Sequence, residues 1–271
     1  MFSPYYKLAR RRGTGDPLNH CALNVALYGA GGKRWAMTER GRTAVGRTAT
    51  TLSIGPSALD WDGSALTIRF DEVTVPIPRR IRGTVRVTPA ALSGAEFLLD
   101  DQGRHTWRPI APCARIDVAL ERPALRWSGD GYLDCNCGTE PLEEAFVCWD
   151  WSRAALTDGT AVAYHATRRR GGDLNLALRF DRHGGFSDVQ PSPRVALPPT
   201  MWRVTRSVGS ENGAAEIPST LEDAPFYARS LLAHRVCGED AVAVHESLSL
   251  DRFRAPWVQA MLPFRMPRRT W

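Results

Sequence analysis

The sequence predicts an all-β protein with a few short helices, and two observations carry this prediction. Apolar and polar residues alternate in many short runs, the pattern of strands that bury one face. Turn signals separate these runs, and the 23 glycines and 19 prolines interrupt any long helical pattern. The runs are more numerous than one small barrel uses, so we expect two antiparallel β-barrel-like units that pack together.

Strands are predicted where the alternation is clearest, in residues 21–29, 65–78, 82–89, 114–120 and 174–180. Turns are predicted between such runs, in residues 29–34, 60–64, 128–131, 169–173 and 181–185. Two segments have helical features. Residues 141–146 carry acids in a first turn, and residues 221–236 have an early proline and roughly helical apolar spacing. A strand remains the alternative for the second segment.

The border between the two units is placed in the polar stretch of residues 98–105, which follows a weaker strand pattern. We therefore expect a first β domain over residues 1–104 and a second over residues 105–271, without a long linker. A chain of 271 residues is long enough for this arrangement.

The chain is basic, with a formal net charge of +6. Basic clusters lie in residues 10–12, 79–82, 168–170 and 265–269, which fits either solvated loops or attraction to anionic lipid headgroups. Nucleic acid is not expected as a partner, because no zinc-finger, RRM or helix-turn-helix pattern occurs. No apolar run has the length of a transmembrane helix, and the N-terminus lacks the apolar core of a secretory signal.

The six cysteines are expected to be free thiols in a reducing compartment. Cys135, Cys137 and Cys148 together with a histidine would offer ligands for zinc. Their spacing matches none of the usual two-pair zinc patterns, so we expect small buried side chains and no metal.

The candidate site lies in two x-spaced pairs, His105 with Trp107 and Tyr132 with Asp134. Residues two apart on a strand point to the same face, so each pair lines one wall. An acid, an imidazole and two aromatic rings can make a cation and stabilise it. Each residue also has a simpler interpretation: Asp134 as a turn residue, Trp107 and Tyr132 as core, and His105 as a surface histidine.

Other catalytic signatures are missing from the sequence. There is no P-loop, no Gly-x-Ser-x-Gly nucleophile elbow and no dinucleotide-binding fingerprint. The tryptophan-rich run of residues 149–153 is interpreted as a strand of the barrel core.

Several long and unusual strings resemble the carotenoid 1,2-hydratases of purple photosynthetic bacteria, over essentially the whole chain. They are FSPYY, DPLNHCALNVALYG, KRWAMTERGR, GYLDCNCGTEPLEEAFVCWDWSRA and HESLSLDRFRAPWVQAMLPFRMPRR. The resemblance implies two lipocalin-like β-barrel domains. It also implies addition of water to the terminal C1=C2 bond of acyclic carotenoids such as neurosporene and lycopene, with no cofactor.

The resemblance assigns roles to the candidate residues. Their family counterparts are implicated in catalysis, with the aspartate as proton donor, which makes Asp134 the predicted acid. The reaction suggests Trp107 and Tyr132 as aromatic walls for the cation, and His105 as the base that orients and deprotonates water. Burial must raise the pKa of Asp134 for it to act as an acid near neutral pH.

The resemblance carries three further expectations. Family members usually have more residues before FSPYY, including an aromatic-rich strand, so the first barrel is expected to lack N-terminal strands and to expose a sheet edge. The substrate dissolves in lipid, so we expect peripheral association with the cytoplasmic side of the inner photosynthetic membrane. Two alternatives remain: a non-catalytic lipocalin-like carrier of a hydrophobic ligand, or another reaction, such as cyclisation, on the same scaffold.

Overall fold

The computed structural model describes residues 2–29 and 32–269. Strands dominate and helices are few and short, so the predicted all-β class is confirmed. In chain order the strands are β1 (Cys21–Leu27), β2 (Arg34–Arg40), β3 (Val45–Arg47), β4 (Thr51–Ile54), β5 (Ser57–Trp61), β6 (Leu66–Val73), β7 (Arg80–Pro89), β8 (Phe97–Leu98), β9 (His105–Arg122), β10 (Leu125–Gly138), β11 (Phe146–Leu156), β12 (Gly159–Arg168), β13 (Leu174–Phe180), β14 (Phe186–Asp188), β15 (Arg194–Ala196), β16 (Ser207–Gly209), β17 (Ala215–Asp223), β18 (Tyr227–Val236), β19 (Glu239–Ser249) and β20 (Arg268–Arg269).

The α-helices are α1 (Pro4–Arg11), α2 (Leu142–Ala145), α3 (Leu250–Arg254) and α4 (Pro256–Arg265). Helix α2 confirms the prediction for residues 141–146, whereas the other three were not predicted. Two of them begin at a serine whose hydroxyl accepts a backbone N–H: Ser3 caps α1 and Ser249 caps α3. Within the described residues, none of the helices has the length and apolarity needed to span a bilayer.

The helix predicted over residues 221–236 is wrong, because the segment forms the end of β17 and the whole of β18. Every second residue of β18 from Ala228 to His234 is buried, which is the period of a strand. The intervening residues are half-buried, so apolar side chains occur on both faces and blur the alternation in the sequence. Pro225 lies in the connection between the two strands.

Contacts divide the chain into two compact units. Unit 1 comprises residues 1–88, 115–129 and 259–271, and unit 2 comprises residues 89–114 and 130–258. The long strands β9 and β10 each contribute one part to unit 1 and the other part to unit 2. The expected border at 104/105 is not among the borders of these units. The independent folding of residues 1–104 and residues 105–271 as two domains stays a prediction.

Unit 1 contains the antiparallel strands β3 to β7 in sequence order, extended by its parts of β9 and β10. It also contains a small sheet in which β2 pairs with β1 antiparallel and with β20 parallel. Its core is a cluster of apolar side chains, comprising Leu27, Ala36, Phe70, Ile81, Val118 and Leu120. The predicted strands in residues 21–29, 65–78 and 82–89 are confirmed here, while the turn of residues 29–34 falls partly on positions 30 and 31, outside the described residues.

Unit 2 is built on a seven-stranded antiparallel sheet in the order β14-β13-β12-β11-β19-β18-β17. Among the described residues its pairing is open, with β14 and β17 as the outer strands. The central strand β11 carries Trp149 and Trp151 on one face and Asp150, Ser152 and Ala154 on the other. Both faces are largely covered, because an apolar cluster around Ala154, Leu232 and Ala243 fills one and aromatic rings fill the other.

Candidate active site

The two predicted pairs lie on the parts of β9 and β10 that belong to unit 2. His105 and Trp107 are both fully buried, as expected for residues two apart on the inner face of a strand. Tyr132 and Asp134 share a face of β10 and are half-buried. The structure therefore brings three of the four predicted residues together, Trp107 with Tyr132 and Asp134.

The carboxyl group of Asp134 is the centre of this arrangement. The indole Nε1 of Trp107 donates a hydrogen bond of 2.8 Å to its Oδ2 atom. The hydroxyl group of Tyr132 donates to the same Oδ2 atom over 3.1 Å. Because Oδ2 already accepts two hydrogen bonds, a proton on this carboxyl group belongs on Oδ1, the oxygen that these donors leave available.

The surroundings favour the protonated form of this acid. Burial is the largest cause that raises the pKa of Asp134, and the negative charge of Glu246 raises it further. The hydrogen bonds from Trp107 and Tyr132 act in the opposite direction without cancelling the effect of burial. Burial, followed by the charge of Asp134, also raises the pKa of Tyr132 strongly, so its hydroxyl group remains a donor.

Aromatic rings surround the carboxyl group. The Trp107 ring lies 5.8 Å from the ring of Tyr164, measured between centroids, and 5.3 Å from that of Phe97. The Tyr132 ring lies 5.5 Å from that of Trp151. Trp107 has no exposed surface, whereas Tyr132 and Trp151 are only half-buried. The partly accessible rings of this cluster are therefore those of Tyr132, Trp151 and Phe97.

His105 makes a separate set of contacts. Its Nδ1 atom lies 3.0 Å from Oδ2 of Asp100, and its Nε2 atom lies 3.2 Å from the carbonyl oxygen of Glu140. Both ring nitrogens thus face oxygen atoms, and these two contacts hold the ring in place. A Cβ atom at Gly138 would meet the ring at 2.8 Å, so the glycine leaves room for it.

Asp100 is a well-defined partner for this histidine. Burial by itself would raise the pKa of Asp100, but hydrogen bonds to the carboxylate outweigh burial and the pKa is lowered. The donors are the backbone N–H groups of Gln102, Arg104 and His105, together with the His105 ring. The turn between β8 and β9 therefore holds His105 through an ionised aspartate.

Three residues near the site were not singled out from the sequence: Glu246, Arg229 and Tyr164. Glu246 on β19 lies directly opposite Trp151 on one side and Arg229 on the other. Arg229 donates from Nε over 2.9 Å, and its Nη2 lies 2.7 Å from the same carboxylate oxygen, Oε1. One sequence signal was available, because Glu246 is in phase with the apolar Val244 and Leu248 on a strand.

Tyr164 links this row of side chains to the acid. It lies opposite Trp151 on the neighbouring strand β12, and its ring contacts Trp107. Burial is the main cause that raises the pKa of Tyr164, and the charges of Asp134 and Glu246 add to it. The two carboxyl groups therefore both act on one buried phenol.

The other face of the sheet carries a serine, a histidine and an aspartate in a different arrangement. Ser247 donates to Oδ1 of Asp150 over 2.6 Å, and its Oγ lies 3.2 Å from Nε2 of His245. In a hydrolase triad the aspartate binds Nδ1 of the histidine, whereas here it binds the serine. Burial lowers the pKa of His245 to about 4, so the ring is neutral. We assign this cluster to the packing of unit 2.

The cysteines near the site are free thiols. Sγ of Cys135 and Sγ of Cys137 are 3.4 Å apart on β10. Across residues 2–29 and 32–269, no group of three or more His, Cys, Asp or Glu side chains is arranged to hold a metal ion.

Fold and site together define a class of protein: an antiparallel β protein that keeps a carboxyl group protonatable among aromatic rings, as acid–base catalysis requires. The family model "Carotenoid hydratase CrtC" matches residues 1–271. The chain belongs to this family, as the sequence predicted, and is thereby an enzyme of the hydro-lyase class.

Named relatives agree with this assignment. Three proteins called acyclic carotenoid 1,2-hydratase are similar over 99% of this chain: 60% identical in Thiocapsa roseopersicina, 50% in Rubrivivax gelatinosus and 42% in Cereibacter sphaeroides. The chain spans 67% of the length of the first two proteins and 95% of the third.

A solved structure shares the fold alone. The crystal structure of an AttH protein from Nitrosomonas europaea matches with a TM-score of 0.55 at 14% identity, covering 83% of this chain and 80% of the other.

Proposed function

We propose that this protein adds water to the terminal C1=C2 bond of an acyclic carotenoid such as neurosporene or lycopene, giving a tertiary 1-hydroxy carotenoid without a cofactor. The observation that carries the proposal is the carboxyl group of Asp134, which burial biases toward the protonated form and which two donors fix through a single oxygen. The names of the relatives support the choice of substrate and bond.

The first step is protonation of the alkene. Oδ1 of Asp134 delivers its proton to C2, the less substituted carbon, and the π electrons of the double bond form the new C–H bond. The positive charge is left on the tertiary carbon C1. An aspartic acid with an ordinary pKa of about 3.9 is ionised at neutral pH, so the raised pKa is essential to this step.

The cation at C1 is stabilised by the electron-rich rings near the acid. A desolvated cation over an aromatic face gains about 2 kcal/mol or more. Tyr132 was predicted for this role, and its half-buried ring fits. The fully packed Trp107 ring favours a different contribution, in which the indole N–H orients Asp134. The predicted contact between the Trp107 ring and the cation stays a prediction.

The second step is attack of water on C1, with loss of a proton to a base. His105 is the predicted base. That role requires one of its nitrogens to leave Asp100 or the Glu140 carbonyl, and it stays a prediction. The observed contacts favour His105 as a positioning residue that fixes the start of β9, two residues before Trp107.

The competing function is that of a carrier which binds the carotenoid unchanged. A carrier has no need for a protonatable carboxyl group, and solvating or pairing Asp134 would be more stable than burying it. The raised pKa of Asp134 therefore favours catalysis over transport.

The test is incubation with lycopene and with neurosporene in water labelled with heavy oxygen, followed by mass spectrometry. We expect a tertiary alcohol that carries the label, formed by the purified protein without added cofactor. The Asp134→Asn variant should return the substrate unchanged. Unlabelled, unmodified carotenoid bound to the wild-type protein would instead identify a carrier.

The substrate proposed here is confined to lipid, so we also propose peripheral association with the cytoplasmic side of a membrane. The net charge of +6 supports contact with anionic headgroups.

A further inference from the structure

The carboxyl group of Glu246 in unit 2 is fixed in place but not sealed from solvent. Glu246 lies on β19, directly opposite Arg229 on β18. Nε of Arg229 donates to Oε1 over 2.9 Å, and Nη2 of Arg229 lies 2.7 Å from the same oxygen. Two charge-assisted contacts of this kind hold a carboxylate firmly. The Glu246 side chain nevertheless keeps 25% of its surface exposed.

Tyr227, two residues before Arg229 on β18, is a second contact of this carboxylate. Burial is the largest cause that raises the pKa of Tyr227, and the charge of Glu246 and a hydrogen-bonding contact with it add to the effect. The Tyr227 hydroxyl group therefore stays protonated and acts on Glu246 as a donor. This contact lies outside regular hydrogen-bond geometry, and the Arg229 guanidinium lies 5.7 Å from the centre of the Tyr227 ring. Arg229 thus fixes Glu246, and Tyr227 makes the weaker contact.

The indole N–H group of Trp151 is a buried donor beside Glu246. Within residues 2–29 and 32–269 its Nε1 atom has no hydrogen-bond partner. Trp151 and Glu246 lie directly opposite each other on β11 and β19, a position in which Cβ atoms are about 5 Å apart. Leaving a buried donor unsatisfied is costly, and water commonly satisfies such a group. One water molecule between the two side chains can accept from the indole N–H and donate to the carboxylate.

The aromatic cluster connects Glu246 to the acid. The Trp151 ring lies 5.5 Å from the ring of Tyr132, whose hydroxyl group donates to Asp134 over 3.1 Å. The charge of Glu246 is also among the causes that raise the pKa of Asp134. Addition of water to a double bond needs an acid at one carbon and a base at the adjacent carbon. Two carboxyl groups beside one cluster of rings meet this requirement.

The neighbouring side chains are unsuited to take a proton from water. Trp107 and Tyr132 both donate to the carboxyl group of Asp134, and burial keeps Tyr164 protonated. Glu246 instead offers a carboxylate. An oxygen that has just bonded to a tertiary cation is a far stronger acid than a carboxylic acid, so a carboxylate is basic enough even when it is paired with an arginine.

We propose that Glu246 is the base of the hydration and that the indole N–H group of Trp151 binds the attacking water. The proposal rests on the proposed function, because it assigns a residue to the second step of that reaction. One lone pair of the water accepts the indole N–H, and the other forms the bond to C1. As that bond forms, one O–H bond of the water breaks and its proton passes to the Glu246 carboxylate. Glu246 then loses this proton to solvent while Asp134 takes one up, so both carboxyl groups return to their starting state.

The test uses Glu246→Gln, which keeps the shape of the side chain and removes the base. Glu216→Gln, at an exposed position of β17, is the matched control. Hydration of lycopene in detergent micelles is followed across the whole pH range in which each protein is folded. We expect the highest rate that Glu246→Gln reaches at any pH to be about 10²-fold or more below that of the wild-type and control proteins.

This maximum rate separates a base from a charge that acts on Asp134. The negative charge of Glu246 raises the pKa of Asp134, so removing the charge lowers that pKa. If Glu246 acted only in this way, Asp134 in Glu246→Gln would be less protonated at neutral pH, and the full wild-type rate would return at lower pH. The loss of a base is not restored at any pH. The other charged and titratable groups around Glu246 are the same in both proteins: Arg229 and Tyr227 on β18, Tyr164 on β12, Asp134 and Tyr132 on β10, Arg153 on β11 and Glu222 on β17.

Deuterium provides an independent measure of the first step. In heavy water Asp134 delivers deuterium to C2. A cation that water does not capture loses a proton and returns to hydrocarbon, either as the substrate or as its double-bond isomer. We expect Glu246→Gln to raise the ratio of deuterium in the hydrocarbon fraction to tertiary alcohol by at least about tenfold. A mere charge effect would slow protonation itself, so both quantities would fall together and the ratio would stay constant.

Two further variants test the water site. Trp151→Phe keeps a ring and removes the N–H group, so it should raise the same ratio. Glu246→Asp keeps a carboxylate but withdraws it by one methylene group, so its ratio should lie between those of the wild type and Glu246→Gln. If Glu246→Gln does not fold, wild-type ratios in both Trp151→Phe and Glu246→Asp would overturn the proposal.

The remaining outcomes separate this proposal from the proposed function. A wild-type maximum rate in Glu246→Gln would overturn the proposal while the proposed function stands. A lowered maximum with an unchanged ratio of deuterium to alcohol would also overturn it, because Glu246 would then only position other groups. An unchanged ratio in Trp151→Phe would overturn the assignment of the water to the indole. A wild-type protein that forms no tertiary alcohol and adds no deuterium to the carotenoid would instead count against the proposed function.

Discussion

Replacing Asp134 by asparagine separates its catalytic role from its place in the packing. Both donors to this residue, Nε1 of Trp107 and the Tyr132 hydroxyl, reach the single oxygen Oδ2. The amide oxygen of asparagine can accept both in the same geometry, with its NH₂ group in place of Oδ1. The variant therefore loses only the acidic proton, and we expect hydration to fall by about 10²- to 10⁴-fold.

The same substitution should raise the stability of the protein at neutral pH while it lowers the rate of hydration. The pKa of Asp134 is raised in the folded state, so its contribution to stability is complete below the unfolded pKa of about 3.9 and is lost as pH rises through the folded pKa. At neutral pH the wild-type protein bears the cost of a partly desolvated carboxylate, which asparagine removes. Asp134→Asn should thus have the higher Tm at neutral pH, and the gap should close in acid.

Asp134→Leu supplies the matched comparison. Leucine accepts no hydrogen bond, so the fully buried indole N–H of Trp107 is left without a partner. An unsatisfied buried donor costs about 2 kcal/mol, which for a protein of this size lowers Tm by roughly 4–8 °C relative to the asparagine variant. Calorimetry across pH, with product analysis by chromatography, measures both effects. Hydration by Asp134→Asn within tenfold of wild type would refute the assignment of Asp134 as the acid.

Three further predictions concern its neighbours. Trp107→Phe keeps a ring and loses the indole donor, so its turnover should fall. Trp107→Ala should have a still lower turnover, and its free energy of unfolding in denaturant should fall by about 3–5 kcal/mol. Equal turnover in the two variants would show that the ring itself contributes nothing to catalysis. His105→Gln should lower stability and kcat together if the histidine positions β9, whereas an unchanged Tm with abolished turnover would support its predicted role as the base. Tyr132→Phe removes a hydrogen bond that lowers the pKa of Asp134, so the alkaline limb of the pH–rate profile should move to higher pH, and an unmoved limb would argue that Asp134 does not set it.

The strand pattern was readable from the sequence where one face of a strand is solvated. The strands predicted at residues 65–78 and 82–89 are present as β6 and β7 for this reason. The pattern failed at residues 221–236, where both faces of β18 are covered and apolar residues occupy both. Helix α4 was missed for two reasons. Pro263 lies inside it, and apolar side chains occupy two of its faces, so the sequence does not show the single apolar stripe of an amphipathic helix.

Part of the candidate site could likewise be predicted from the sequence, and part could not. Spacing of two on a strand was enough to place Tyr132 and Asp134 on one face, and to pair His105 with Trp107. Spacing could not show that Trp107 meets Asp134 while His105 instead binds Asp100, because side-chain partners on different strands depend on register. Glu246 illustrates the same limit, since its sequence neighbourhood contains no other residue of the site.

The sequence by itself determined the all-β class and the family, because these depend on local periodicity and on residue strings, and it predicted Asp134 as the acid. Only the tertiary structure decided the protonation chemistry of Asp134 and the placement of Glu246, Tyr164 and Trp151 around it. A pKa is set by burial, by hydrogen bonds and by charges that arrive from distant parts of the chain. None of these is fixed until the strands are paired in register.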